Sequence, residues 1–405
     1  MHVVVIGAGV IGVTTAYYLS ELGCQVTVVD RASDVARGAS YANAGQLSYS
    51  FTDALAKPRF LSRIPGIVAG RDRGYRVRLT PELIPWGLRF LSQCTNRRAQ
   101  QNTLAVLKAA LRSETLMQEL HKRVPFEFSH RAAGKLVLLH SGADVREARA
   151  NAALKMQLGC ETDVLSRQAA IEIEPALASM DEKFTAAVYS QRDSVADSRL
   201  FTVGLKKMLE KSGRVAFRLS ETVKRLHKEG NRLQSIELAQ GRLSADAVVV
   251  CNGAWSGQLL KSVGINPHVY PVKGYSVTLP ARDAAPQASV TVLNKKIVFS
   301  RMNGDLRIAG FADFKGLGGE RDSERIDTLL AVARDAAPLA ADYESSERTT
   351  WGGFRPMTPN GQPLVGPSRI EGLYLNTGHG MLGWTLACAS GHDIAHSIVS
   401  SPRKE

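Results

Sequence analysis

The chain has 405 residues, which is long enough for two domains, and its 44% apolar and 22% charged residues are typical of a globular protein. Its five cysteines are scattered and form no C-x-x-C or Cys/His cluster, so we expect neither a disulfide framework nor a metal site. The apolar start lacks a basic n-region and a cleavage site, which argues against a signal peptide, and no other segment reaches membrane-spanning length.

The net charge of +13 is concentrated in one segment. Residues 57–100 hold ten Lys/Arg and two acids, a net charge of +8, with large apolar residues between them. Such a segment is typical of a peripheral contact with an anionic inner membrane, although a solvated basic face explains it equally well. Nucleic acid is not expected, because no recognised binding motif accompanies the charge. The expected location is the cytoplasm or the cytoplasmic face of the inner membrane.

The N-terminal residues predict a dinucleotide site. A strand at Val3–Ile6 leads through Gly7, Gly9 and Gly12 into a helix predicted over 13–22. Such glycines permit a tight turn, a close approach to a pyrophosphate and close helix–strand packing. A second strand over 25–29 then delivers Asp30, where a carboxylate can hold a ribose hydroxyl.

Further elements follow in chain order. Helices are predicted over 104–120, 143–158, 197–211 and 323–337, and strands over 135–139, from 185, over 215–219 and over 247–251. Residues 266–344 contain period-2 strands separated by glycine and Asn-Gly turns, which favours a twisted antiparallel sheet. The C-terminal segment reads as strand, glycine loop and helix.

Three segments carry candidate chemistry. The loop over 37–46 offers small residues for close backbone approach, and Asn43 and Gln46 for hydrogen bonds. Arg355, in an extended segment before a proline, can hold a carboxylate with two parallel hydrogen bonds, although a surface salt bridge is the ordinary alternative. His379, between two glycines, is either a positional residue or a proton-transfer residue. Its loop lies at the start of the last helix, whose N–H groups can face an electron-rich ring edge.

Five segments together resemble the flavin-dependent D-amino acid oxidase superfamily, within it most closely the small-subunit type of bacterial D-amino acid dehydrogenase. They are VVVIGAGVIGV, ASYANAGQ, VYPVKGYSVTLP, WGGFRPMTPNGQPLVG and LNTGHGMLGWTLACASG. The resemblance covers nearly the whole chain.

The resemblance implies non-covalent FAD and oxidative deamination of D-amino acids by hydride transfer to flavin N5, giving 2-oxo acids and ammonia. The family's substrate-carboxylate arginine falls on Arg355, and by analogy Tyr275, Ile297 and Asp313 form pocket walls. The implied electron acceptor is a membrane quinone or another respiratory-chain acceptor; oxygen is the alternative. The expected cofactor-binding residues are Gly7, Gly9, Val10, Ile11, Gly12, Asp30, Arg31, Ala39, Ser40, Asn43, Ala44, Gly45, Gln46, Val223, Asn252, Gly253, Trp255, Gly378, Gly380, Met381, Leu382, Gly383 and Trp384.

Two departures from the family leave the substrate open. Tyr49-Ser50-Phe51 stands where the family has Pro-Gly-Tyr, which removes a phenolic hydroxyl, and the chain after the final helix is short. A cyclic or secondary amino acid, of the D-proline, hydroxyproline, sarcosine or glycine type, is therefore an alternative substrate. A non-catalytic flavin-binding subunit is a third interpretation, against which Arg355 argues.

The expected fold is α/β, with a Rossmann-like FAD-binding domain and an antiparallel-sheet substrate domain, as in D-amino acid oxidase. The predicted FAD-binding domain is discontinuous, over 1–50, 186–265 and 345–405. The predicted substrate domain covers 51–185 and 266–344.

Overall fold

A computed structural model describes residues 1–181, 183–318 and 323–401. The strands are β1 His2–Ile6, β2 Gln25–Val29, β3 Gln46–Leu47, β4 Tyr75–Val77, β5 Lys135–Leu139, β6 Asp163–Ser166, β7 Ala186–Ser190, β8 Ser194–Val195, β9 Val215–Arg218, β10 Arg225–Glu229, β11 Arg232–Leu238, β12 Gly241–Leu243, β13 Ala247–Val250, β14 Tyr270–Pro280, β15 Ser289–Val292, β16 Ile297–Met302, β17 Asp305–Phe314, β18 Thr349–Met357, β19 Leu364–Pro367 and β20 Leu373–Thr377.

The α-helices alternate with these strands. They are α1 Val10–Glu21, α2 Pro58–Leu61, α3 Ile64–Val68, α4 Leu83–Gln93, α5 Asn96–Arg123, α6 Gly142–Met156, α7 Arg167–Ile173, α8 Ser198–Lys211, α9 Ser256–Leu260, α10 Ser323–Ala336 and α11 Gly383–Val399. In the described part of the chain, none of these helices is long and apolar enough to cross a bilayer.

The first sheet has six strands in the order β19-β20-β13-β1-β2-β9, and all neighbours are parallel except β19, which is antiparallel to β20. Because every apolar residue of β1 is buried, both faces of the sheet must be covered. Val3 and Val5 pack with α1, α8 and α11, whereas Val4 and Ile6 pack toward the small sheet β10-β11-β12. The result is a three-layer unit with β1 at its centre.

The turn after β1 needs glycine. Gly7 has φ +110°, and a Cβ there would lie 2.7 Å from the carbonyl oxygen of Cys251, at the end of β13. Gly12 lies in the first turn of α1, and a Cβ there would lie 1.8 Å from the oxygen of Gly7. The helix therefore begins at Val10, three residues before the predicted start, because the glycines are part of its first turn.

The second sheet has nine strands, in the order β18-β14-β17-β16-β15-β5-β7-β6, with β4 paired to β17. Pairing is antiparallel along β18-β14-β17-β16-β15, as the sequence predicts, whereas β15 and β5 are parallel. On one face, Val277, Leu279 and Phe299 pack with α7 and α10 in a second hydrophobic core. The other face looks toward the first unit, and a large cavity lies between the two.

Strand pairing bears on the domain boundaries. It places β7 and β18 in the nine-stranded sheet. The predicted ranges, which begin at residues 186 and 345, assign both strands to the FAD-binding domain. Strand pairing instead groups β7 and β18 with the strands of the predicted substrate domain. The sequence analysis also left β10–β12, β15, β19 and the helices α2–α4 unassigned.

The close approach at Gly12 generates a stability prediction. In Gly12→Ala, the new methyl group must displace α1 from the turn, so we expect the free energy of unfolding to fall by about 2–3 kcal/mol. Gly257→Ala, in α9, is the matched control, because a Cβ there meets nothing within 4 Å; helix propensity predicts no loss at that site. Urea unfolding checks both variants, and equal stabilities would contradict the packing described.

Candidate functional site

The cavity between the two sheets has a volume of about 1280 Å³. Most of the predicted site residues line it. They are Gly7, Gly9, Val10, Ile11, Asp30, Arg31, Ala39, Ser40, Asn43, Ala44, Gly45, Gln46, Val223, Asn252, Gly253, Trp255, Tyr275, Ile297, Arg355, His379, Gly380, Met381, Leu382, Gly383 and Trp384. Gly12, Gly378 and Asp313 do not line it.

Two helices direct their N-termini into this cavity. α1 follows Gly9 and α11 follows Leu382, and neither residue caps its helix with a side chain. Neither helix has an acidic residue in its first turn. Of the first N–H groups of α1, that of Val10 donates to Oγ of Ser40 at 3.0 Å. Both helix ends therefore present partial positive charge and N–H donors to anionic or electron-rich groups.

Asp30 lies beside the turn after β1. Its Oδ2 accepts a hydrogen bond from the backbone N–H of Ala8 at 2.7 Å, and its Oδ1 accepts one from the N–H of Ala32 at 2.8 Å. Each carboxylate oxygen keeps acceptor capacity for a hydroxyl. Across the same end of the cavity, the guanidinium of Arg31 lies 4.2 Å from the ring centroid of Trp255. These side chains suit the ribose and base of a nucleotide.

The end of β20 and the loop before α11 hold two buried polar atoms without partners among the described residues. These atoms are Nε2 of His379 and Oδ1 of Asn376. The amide of Asn376 donates to Oγ1 of Thr15 at 3.0 Å, which fixes its orientation. Because buried polar groups are normally hydrogen-bonded, both atoms indicate a ligand that supplies a donor and an acceptor.

Burial also determines the charge of His379. It lowers the pKa of the imidazole to about 3, so the ring is neutral near pH 7. This favours the positional role over the proton-transfer role. Together with the uncapped helices and Asp30, the loop fits FAD.

Arg355 lies in β18 beside the loop before α11, because the N–H of Gly380 donates to the carbonyl oxygen of Pro356, the next residue, at 2.9 Å. Its guanidinium covers the backbone of Gly274, where a Cβ would lie 2.4 Å from Nη2, so a side chain at position 274 would displace the guanidinium. Nη1 donates to the carbonyl oxygen of Phe311 at 2.6 Å. Burial lowers the pKa of Arg355, while nearby Tyr75, Asp313 and Tyr275 act to raise it. An arginine nevertheless stays charged.

The guanidinium of Arg355 has no acidic partner. Within the described residues, no carboxylate oxygen lies within 4.0 Å of its nitrogens. A partly buried cation with unused donors is costly unless a ligand completes it. The surface salt bridge considered from the sequence is therefore not what the structure shows.

Asp313 was expected to form a pocket wall, and this expectation is wrong. Asp313 is fully buried behind Tyr275, whose hydroxyl donates to Oδ2 at 2.9 Å, while Nη2 of Arg325 donates to Oδ1 at 2.7 Å. A bulge between Lys273 and Tyr275 and the left-handed φ of Phe311 interrupt the alternation of both strands. Asp313 is thus a positioning residue for the Tyr275 phenol.

Several cavity residues escaped the sequence analysis. Tyr75 lies near Arg355, and Lys135 is buried at the start of β5. The alternation of Lys135, Val137 and Leu139 along β5 could have identified a shared face, but no motif distinguishes that lysine. Phe51 was noted for its missing hydroxyl, and the structure places its ring in the cavity wall.

The comparison with protein families agrees with this geometry. A model described as FAD dependent oxidoreductase matches residues 2–397. The chain belongs to this family. FAD is accordingly the cofactor, and the predicted recognition of a flavin-dependent oxidoreductase is confirmed. The cavity thiol of Cys251 has its pKa raised to about 12 by burial, which is unfavourable for attack on a flavin, so non-covalent binding stays the prediction.

Relatives of this FAD dependent oxidoreductase match over its full length. D-amino acid dehydrogenase 2 of Ralstonia nicotianae is 40% identical, covering 98% of this chain and 96% of the relative. D-amino acid dehydrogenase of Dechloromonas aromatica is 38% identical, and the match covers 100% of this chain and 98% of the relative.

Solved structures confirm the fold. Glycine oxidase from Geobacillus kaustophilus is 22% identical with a TM-score of 0.75, covering 99% of this chain and 95% of that chain. L-proline dehydrogenase from P. horikoshii is 18% identical with a TM-score of 0.72, and the match covers 98% of this chain and 92% of that chain. The predicted α/β fold with an FAD-binding unit and an antiparallel-sheet unit is therefore confirmed.

The neutral His379 generates a pH prediction. Its folded-state pKa of about 3 lies below the ordinary histidine pKa of 6.5, so the unfolded chain binds the proton first and stability falls as the pH drops below about 6.5. Between pH 7.5 and 5 this group accounts for a loss of about 2 kcal/mol. We expect the holoenzyme of His379→Asn to lose less stability than the wild type over this range in urea unfolding. His396→Asn, at an exposed site on α11, is the control. Equal acid sensitivity of the wild type and His379→Asn would contradict the assignment.

Proposed function

We propose that this FAD dependent oxidoreductase converts D-amino acids to 2-oxo acids and ammonia. The observation that carries the proposal is the unpaired guanidinium of Arg355, which faces the same cavity as the nucleotide-binding turn and both uncapped helices. The names of the full-length relatives support the substrate class.

Arg355 anchors the substrate. Its planar guanidinium donates two parallel hydrogen bonds to the α-carboxylate, which orients the α-carbon as well as binding it. The hydrogen bond from Nη1 of Arg355 to the carbonyl oxygen of Phe311 and the contact with Gly274 hold the guanidinium in place before the substrate binds. The bound flavin supplies the hydride acceptor at N5. Fixing the carboxylate presents one face of the α-carbon, and hence one enantiomer, to the cofactor.

The walls beside Arg355 exclude water and complete the pocket. Tyr75 and Tyr275 are both buried, and Asp313 fixes the Tyr275 hydroxyl at 2.9 Å. The substrate amine must be neutral before oxidation. Since His379 is neutral and buried, we assign acceptance of the amine proton to solvent.

Anaerobic mixing tests the proposal directly. The FAD-loaded protein is mixed without oxygen with D-amino acids, their L-enantiomers, D-proline, hydroxyproline, sarcosine and glycine, and the flavin absorption is followed. We expect bleaching by D-amino acids and none by the L-enantiomers. Bleaching by the cyclic or secondary amino acids alone favours that alternative. No bleaching across the panel favours the non-catalytic subunit and contradicts the proposal.

We also propose that the electron acceptor is a quinone or another respiratory-chain carrier, reached at the cytoplasmic face of the inner membrane. Among the described residues, seven of the fifteen exposed large apolar side chains lie in residues 61–91, so the exposure is concentrated in one segment. They are Leu61, Val68, Val77, Leu79, Ile84, Leu88 and Leu91. Six exposed arginines lie within residues 71–98: Arg71, Arg73, Arg78, Arg89, Arg97 and Arg98. We call these thirteen residues the basic apolar surface.

Helix α4 shows why this surface suits an anionic bilayer. Its residues Leu83, Trp86 and Phe90 are buried, and the side chains at 84, 88 and 91 form a second, exposed apolar stripe. A helix that is apolar on two sides leaves one side without a partner in the chain. Insertion of that side into the headgroup region buries apolar area, while the arginines attract anionic lipids.

Substitution of the anchor gives the sharpest kinetic prediction. In Arg355→Ala the substrate loses a charged bidentate contact, so we expect kcat/KM to fall by the equivalent of about 2–5 kcal/mol, mainly through a raised KM. FAD should stay bound, because the turn after β1, Asp30 and the N-termini of α1 and α11 are unchanged. Arg282→Ala, at an exposed arginine, serves as the control. An unchanged kcat/KM in Arg355→Ala would overturn the assignment.

The basic apolar surface gives a second prediction. Leu88→Glu places a carboxylate in the exposed stripe, and we expect binding to vesicles with anionic phospholipid to fall at least about tenfold. Leu339→Glu, at an exposed apolar residue elsewhere, should bind like the wild type. Sedimentation with anionic and with zwitterionic vesicles is the measurement. Equal binding by the two variants, or no lipid binding at low salt, would refute the contact.

A further inference from the structure

The part of the cavity around Lys135, which we call the lobe, lies away from Arg355 along the nine-stranded sheet. Arg355 lies on β18 and Lys135 on β5, and the order β18-β14-β17-β16-β15-β5 separates these strands by five steps. At about 4.8 Å per step the two strands are about 24 Å apart along the sheet. The lobe is therefore an additional site and not part of the carboxylate pocket.

One wall of the lobe is apolar. A hydrophobic cluster centred on β5 and β7 supplies six residues that line the cavity: Phe51, Val137, Leu139, Ala148, Val188 and Leu293. These residues come from the loop after β3, from three strand regions and from α6, so the wall is built by the tertiary fold. Apolar walls with a few convergent polar groups are typical of small-molecule sites.

The polar groups of the lobe include two lysines and a hydroxyl. Nζ of Lys135 donates to Oγ of Ser48 at 2.9 Å and to Oε1 of Gln46 at 3.3 Å, and it lies 4.3 Å from the ring centroid of Phe51. Lys155, on the other side of Phe51, is paired with Asp53 at 2.9 Å. The buried Oγ1 of Thr162 also lines the cavity and has no partner among the described residues.

Lys135 differs from Lys155 in having no ion-pair partner. Its side chain is 3% exposed, and in the described part of the chain no carboxylate oxygen lies within 4.0 Å of Nζ. Burial lowers its pKa to about 8, so it is still largely protonated near pH 7. An ammonium has three donors, and the structure accounts for two. The third is available to a ligand oxygen.

The mouth of the lobe adjoins the basic apolar surface. Lys57 pairs with Glu147 at 2.8 Å, and Arg59 pairs with Asp144 and Glu147, so the segment around α2 is tied to α6 across the cavity rim. Phe60 of α2 lines the cavity, while Leu61, the next residue, is exposed on the basic apolar surface. The lobe therefore lies beside the surface at which a lipid-soluble ligand would arrive.

We propose that this lobe binds a quinone, with its ring against Phe51 and Val137 and one carbonyl oxygen hydrogen-bonded to Lys135. The assignment rests on the proposed function, which requires an electron acceptor. A quinone matches the lobe because its ring and prenyl tail cover the apolar wall and its carbonyl oxygens accept hydrogen bonds. A cation beside such an oxygen stabilises the negative charge that the oxygen gains on reduction. Gln46, which contacts both Lys135 and Ser289, connects the lobe to the predicted cofactor loop.

Equilibrium binding to the oxidised, FAD-loaded protein tests the site without turnover. A benzoquinone with a single prenyl unit is titrated by calorimetry into the wild type, Ala148→Trp, Ala150→Trp and Lys135→Met. Ala148 lies in the lobe wall, whereas Ala150 is exposed on the same helix and serves as the matched control. We expect binding at least tenfold weaker in Ala148→Trp, about fivefold to tenfold weaker in Lys135→Met, and unchanged in Ala150→Trp. Visible flavin absorption shows that each variant is folded and loaded.

Two further measurements distinguish the quinone site from the substrate site. Arg355→Ala should bind the quinone like the wild type, because Arg355 lies at the opposite end of the sheet. Equal quinone affinity in Ala148→Trp and Ala150→Trp, or a loss in Arg355→Ala as large as that in Ala148→Trp, would overturn the proposal. Anaerobic bleaching of the wild type by D-amino acids is a separate experiment. If bleaching fails, the proposed function is contradicted; if the quinone titration fails, the quinone site is contradicted.

Discussion

The unpaired guanidinium of Arg355 is the constraint on which the site depends. Burying a charge without an opposite charge is unfavourable, and the chain compensates only in part, with one carbonyl acceptor from Phe311 and a glycine at position 274 that leaves room. Asp313, the acid that could neutralise it, is instead satisfied by Arg325 and Tyr275. The fold thus keeps a cation available for an anionic substrate.

The cofactor side of the cavity is organised by the same principle. The N-cap residues of α1 and α11 provide no side-chain cap, and the buried Nε2 of His379 and Oδ1 of Asn376 have no partners in the described residues. In both places the protein leaves polar groups incomplete and holds them in rigid elements. Preorganised groups of this kind need little rearrangement when cofactor and substrate bind.

Much of this architecture follows from local sequence patterns. The glycine turn, Asp30 and the strands β1, β2, β5 and β14 could be predicted because glycine spacing and strand alternation are local signals. The role of Asp313 could not, because it depends on a bulge at residues 273–275 and on Arg325 from a distant helix. The lobe around Lys135 was likewise hidden, since Phe51, β5 and α6 meet only in the tertiary fold.

The most direct test of the central claim is a crystal structure of the FAD-loaded protein with a non-oxidisable carboxylate analogue of a D-amino acid. We expect both carboxylate oxygens within about 3.2 Å of the Arg355 guanidinium, with the carbon that replaces the α-carbon facing the flavin. A carboxylate bound elsewhere, with Arg355 paired to an acidic side chain of the protein, would contradict the account.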